Sequence, residues 1–97
     1  MGTPAARLMD MATGHQMFPP HNCMSGSSTV LINGRPACRT GDMWMLHCAP
    51  TGGCHPGIAG MGSSTVIIEG KNQSRVGDQV SCGSIIMTGS TNVLIGG

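Results

Sequence analysis

Three stretches of this chain can be laid over one another, and most of its charge falls in the overlay. They are Thr3-Pro4-Ala5-Ala6-Arg7-Leu8-Met9-Asp10, Arg35-Pro36-Ala37-Cys38-Arg39-Thr40-Gly41-Asp42 and Lys71-Asn72-Gln73-Ser74-Arg75-Val76-Gly77-Asp78. Each carries a small residue, then Arg, then an acid three places later. The chain has 4 acidic and 5 basic residues. Asp10, Asp42 and Asp78 share one slot, and Arg7, Arg39 and Arg75 share the other. A second element follows each first one: Gly26–Ile32, Gly62–Ile68 and Gly89–Ile95, each a Gly-Ser turn running into β-branched and apolar residues. Such runs read as short strands, and Asn33-Gly34 and Glu69-Gly70 behind two of them suit tight hairpin turns. The expectation is one all-β domain over 1–97. It is built from three hairpin-like repeats, roughly 3–34, 35–70 and 71–97, packed about a pseudo-threefold axis.

The repeated Arg-x-x-Asp has a structural reading. Arg forks bidentately to a carboxylate and fixes the loop leaving each strand, whereas an active site rarely needs three equivalent copies. Ala6, Cys38 and Ser74 form a small, buried column, which makes Cys38 a packing cysteine. Met9 stands where the other repeats carry Gly41 and Gly77, so the first turn is the one whose geometry is open, since a positive φ favours Gly.

Composition says what such a fold lacks. Charged residues are 9% and aromatics 2% of the 97 residues, against about a quarter charged in an ordinary soluble domain. A chain this short with so thin a core needs a staple: disulfides, a metal or a partner. The net charge of +1, with no basic cluster, argues against a nucleic-acid surface. No apolar run reaches the roughly 20 residues of a membrane span. No leader suggests export by a signal peptide.

The staple is expected to be a metal. Each repeat has a loop after its Asp, and each loop delivers a soft or borderline ligand at nearly the same place: His15, His47 and Cys82. The second loop adds His55. Three His and one Cys make a closed tetrahedral zinc shell, which would cross-link the three repeats at their common end. Cys48 and Cys54 flank His47 and His55, and spacing leaves both open as ligands. A Cys48–Cys54 disulfide is the plain alternative for that pair. His21 and Cys23 have no counterparts in the other repeats and read as exposed loop residues rather than ligands.

Pro4-Ala5-Ala6-Arg7 and Pro36-Ala37-Cys38-Arg39, the Gly-Asp after the second and third Arg, and Gly-Ser-Ser-Thr-Val with Asn-Gly or Glu-Gly behind it resemble the PAAR-repeat family over essentially the whole chain. The resemblance implies a small β cone with one structural zinc near its apex, bound by three His and one Cys. It also implies a partner: the blunt end of a trimeric β-helical spike, VgrG in type VI secretion or the central spike of a contractile phage tail. One cone would cap each trimer, sharpening it for membrane puncture. Such a tip waits in the cytoplasm and leaves with the spike, as a secreted or virion component, touching the target membrane in passing. The base strands around Val30, Ile32, Val66, Ile68, Val93 and Ile95 are the expected docking face. Met43-Trp44-Met45-Leu46, just before His47, either touches a membrane or packs beneath the metal loops. With Gly96-Gly97 close behind its last strand, the chain reads as a bare tip without a fused toxin domain.

Two other classes fit the residues less well. An enzyme could pair Cys with His at His47-Cys48 or Cys54-His55, yet sequence neighbours rarely face one another and no acid is spare. A stand-alone zinc-bound adaptor that recruits effector proteins is the alternative function.

Overall fold

In the computed structural model, residues 2–14, 19–49 and 52–96 are described, and they form ten short strands with no helix among them. They are β1 (Thr3–Pro4), β2 (Met11–Ala12), β3 (His21–Asn22), β4 (Leu31–Ile32), β5 (Arg35–Pro36), β6 (Met43–Cys48), β7 (Cys54–Ile58), β8 (Ile67–Ile68), β9 (Lys71–Asn72) and β10 (Leu94–Ile95). All pair antiparallel: β4 with β5, β8 with β9, and β10 with β1. The first two pairs are hairpins. Their turns place Asn33 and Gly34, and Glu69 and Gly70, at positive φ, as two-residue hairpin turns of the mirror type require. The third pair is the same unit assembled from the two ends of the chain, with Thr3 opposite Ile95 and Pro4 opposite Leu94. The result is an all-β cone with pseudo-threefold symmetry.

The axis is visible in a ring of backbone hydrogen bonds. Ala6 N–H donates to Ser74 O at 3.0 Å, Ser74 N–H to Cys38 O at 2.9 Å, and Cys38 N–H to Ala6 O at 3.0 Å. All three residues are buried, so the column must be small because three chains meet there. The Gly-Ser turn recurs for two reasons. A Cβ on Gly26 or Gly89 would lie 2.7 Å from Ala37 O or Ala5 O, and one on Gly62 closer still to Gln73 O. Ser27, Ser63 and Ser90 each accept, at Oγ, the N–H groups two and three residues on. These bonds satisfy turn donors that no strand reaches.

Each Arg-x-x-Asp forms the expected fork. Nε and Nη2 of Arg7, Arg39 and Arg75 donate to Asp10, Asp42 and Asp78, and each Asp also accepts the backbone N–H of its Arg. Burial pushes the Asp10 and Asp42 carboxyls up. Donation from the Arg side chain and backbone more than offsets it, helped by Thr88 and Ser25 respectively, and both end below the usual carboxylate range. The first turn follows the other two: Met9 takes φ 73°, beside 91° at Gly41 and 95° at Gly77. Its N–H donates to Cys23 O just as Gly41 and Gly77 donate to Ala59 and Ile86.

Two apolar layers stack on the axis. The basal one contains Ala5, Ala37, Ile32, Ile68 and Ile95, with Val66 and Val93 against it. The upper one contains Ala6, Cys38, Ala12, Cys23, Trp44, Ala59, Val80 and Ile86. Isolated bridges Cys23–Trp44, Ala59–Val80 and Ala12–Ile86 close the upper layer around the axis. The apolar run before His47 divides: Trp44 is buried in this layer, while Met43, Met45 and Leu46 are exposed.

Candidate metal centre

Above the upper layer the three loops differ in length, and their lengths decide what meets. The first returns on β3, which pairs with β2 so that His21 lies opposite Ala12. The second is the β6–β7 hairpin, with His47 opposite His55 and Cys48 opposite Cys54. The third is a short turn holding Cys82.

One ligand atom from each of His21, His47 and Cys82 lies within 4.8 Å of the other two, so one loop of each repeat contributes to a group able to hold a metal ion. The His21 and His47 rings stack with centroids 3.7 Å apart and 4° from parallel. His55 stands edge-on to His47 at 4.2 Å. His21 Nδ1 is 3.2 Å from Pro19 O and His47 Nδ1 is 2.9 Å from Met45 O. A carbonyl only accepts, so each Nδ1 bears a proton, and in the neutral ring this leaves the lone pair on Nε2, the arrangement that orients a histidine toward a metal. His21 Nε2 is 3.7 Å from Cys82 Sγ. Two imidazoles and a thiolate source, two of the three buried, are a donor set suited to zinc.

Of the four expected ligands, His47 and Cys82 are brought together, and His55 borders them through its ring contact with His47. His15 lies outside the described residues. The reading of His21 and Cys23 as exposed loop residues is corrected: their exposures are 1% and 0%, because β3 folds back over the upper layer. The sequence held one hint, since the first loop carries two His, His15 and His21, as the second carries His47 and His55. The Cys48–Cys54 alternative is the one found: these residues form a disulfide across β6 and β7, which takes both thiols out of the ligand contest. Cys38 is wholly buried as expected, and its contact with Cys23 together with burial pushes its thiol pKa up.

Nothing bulky fits under the site. A Cβ on Gly57 would lie 2.6 Å from Val80 Cγ1, 3.2 Å from Trp44 Cβ and 3.6 Å from Cys82 Sγ. The threefold packing and the three Arg-x-x-Asp forks are those the repeats predict, and the apical His/Cys group is one able to hold a metal ion. The family model for the PAAR motif matches residues 1–45 and 14–88. The chain belongs to the PAAR-motif family. PAAR proteins are structural spike-tip proteins of type VI secretion and related phage-like machines. No curated protein matches this PAAR chain.

Proposed function

We propose that this protein is the zinc-stabilised tip of a contractile injection machine, capping a trimeric β-helical spike (VgrG or a phage central spike) for membrane puncture. The observation that carries this reading is the base. Leu31, Ile67 and Leu94 occupy the same position in the three strand pairs and are 60%, 54% and 57% exposed, while the following residues Ile32, Ile68 and Ile95 are buried. A single chain thus presents three equivalent apolar side chains, which is what a homotrimer's end needs in order to be met symmetrically. Capping would also cover the strand edges at the end of a β-helix. The role is mechanical: metal bonds across the apex resist splaying of three loops when force is concentrated there.

The zinc shell proposed is Cys82, His47 and His55 with one imidazole from the first loop. Spacing nominates His15 for that place and geometry nominates His21. The protein would wait in the cytoplasm and leave with the spike, and the exposed Cys48–Cys54 pair suits the oxidising side. The test is to mix the protein with the trimeric spike encoded beside its gene and weigh the product by native mass spectrometry. One cone per trimer is expected. Three per trimer, or no complex at micromolar concentrations, overturns capping.

A further inference from the structure

The pseudo-symmetry supplies an internal reference for the three grooves between neighbouring repeats, and one groove departs from it. Between the first and second repeats, Ser25 Oγ donates to Asp42 Oδ1 at 3.1 Å and accepts Met43 N–H at 2.9 Å. Between the third and first, Thr88 Oγ1 donates to Asp10 Oδ1 at 2.9 Å and accepts Met11 N–H at 2.8 Å. Each hydroxyl thus bridges a fork carboxylate and the next backbone amide. The register is fixed by the residue before it: Met24 N–H and Met87 N–H donate to Met43 O and Met11 O, and Gly60 N–H donates likewise to Gln79 O.

Between the second and third repeats the hydroxyl is missing. Its position is Met61, which is 86% exposed, and the flanking Met24/Met87 position is Gly60. A groove of about 420 Å³ opens there, lined among others by Gly60, Met61, Arg75, Asp78, Gln79 and Ser81. Among the described residues, Asp78 Oδ1 receives only Arg75 Nη2, and Gln79 N–H has no acceptor. Arg75 differs too. Arg7 Nη1 donates to Asn33 and Arg39 Nη1 to Glu69 in the hairpin turns, but the matching residue for Arg75 is Gly96, which offers no side chain.

We propose that this third groove is a docking site for an extended peptide segment of a partner protein, which seats a Ser or Thr hydroxyl between Asp78 Oδ1 and Gln79 N–H. The occupant's chemistry is given by Ser25 and Thr88, which fill the same place in the sister grooves. A carboxylate and an amide 1 residue apart are matched by one group that both donates and accepts, which a peptide's hydroxyl does, in place of water, and its amide N–H or carbonyl alone does not. Among the three grooves only this one lacks its own hydroxyl, so one such segment binds per chain.

The test is an NMR titration of the full chain with two capped tripeptides, acetyl-Gly-Ser-Gly-amide and acetyl-Gly-Ala-Gly-amide, following the Gln79 amide. A saturable shift with the Ser peptide is expected, with affinity about tenfold weaker for the Ala peptide, as loss of a hydrogen bond to a charged group implies. Met61→Ser gives the groove its own hydroxyl and should abolish the response. No saturable shift with the Ser peptide, equal affinity for both peptides, or an undiminished response in Met61→Ser overturns the proposal.

Discussion

His21 and His47 stack face to face, 3.7 Å between ring centroids, although they come from loops of different repeats and different lengths. The contact ties the first repeat's return strand to the second repeat's hairpin at the place where Cys82 arrives from the third. Substitution can separate its metal role from its packing role. One zinc per chain is expected by elemental analysis, and His47→Ala or Cys82→Ala should lose most of it. His21→Ala and His15→Ala, compared side by side, identify the first loop's ligand as the one whose loss empties the site. Chelation should lower the thermal midpoint markedly, since structural zinc in small domains is worth on the order of 10 kcal/mol. An unchanged midpoint would mean packing alone holds the cone.

Gly57 is the tightest position beneath the metal group. Gly57→Ala places a methyl against Val80 and Trp44 and should cost about 1–3 kcal/mol as overpacking, with weakened zinc retention because Cys82 must shift. Gly53→Ala is the control on the same hairpin, since a Cβ there meets nothing within 4 Å. Equal urea midpoints for the two variants would refute the steric account.

The left-handed turn at Met9 predicts opposite signs for two exchanges. Met9→Gly should stabilise the protein by about 1 kcal/mol, and Gly41→Met should destabilise it by about 1–2 kcal/mol. A Cβ at Gly41 has open space around it, so the cost there is conformational rather than steric. Urea unfolding of both variants checks this, and the same sign in both would contradict it.

Acid should weaken the cone through its forks. Asp10 and Asp42 have carboxyl pKa values lowered by folding, so their contribution is fully present above the unfolded value of about 3.9 and is lost as pH falls through the lower folded values. Zinc-free protein should therefore hold a nearly constant contribution from these groups above about pH 5 and lose it progressively below about pH 4. Asp42→Asn should flatten that loss. A profile identical to the parent would show that the Asp42 fork carries none of the linkage.

The base can be broken without touching the apex. Ile67→Asp puts a charge on the exposed triad, and should abolish spike binding while leaving zinc content at the parent level. Ile68→Asp, one residue on and buried, should instead unfold the basal layer, since an unpaired buried carboxylate is among the most damaging changes. Spike binding by Ile67→Asp at parental affinity would remove the triad from the interface.

Much of this protein was legible in its sequence because the determinants are local and repeated. Scarce charges at Arg7/Asp10, Arg39/Asp42 and Arg75/Asp78 encode three forks that each close within four residues. Asn33-Gly34 and Glu69-Gly70 encode turns by backbone conformation alone, and Gly-Ser encodes a close approach plus a capped turn. Three such units that cannot bury their apolar sides alone must stack about an axis. What only the tertiary structure decided lies where the repeats stop matching. His21 joins His47 and Cys82 because β3 pairs with β2 in one particular register, and a one-residue slip would turn that ring to the other face. Met9 accepts a left-handed turn because its N–H is held by the carbonyl of Cys23, which follows β3 and lies 14 residues on in the chain. The groove beside Asp78 exists because Gly60 and Met61 replace a pair whose partners lie in the next repeat. Local pattern specifies each unit, while contacts between units of unequal length depend on register and packing, which no single stretch of sequence contains.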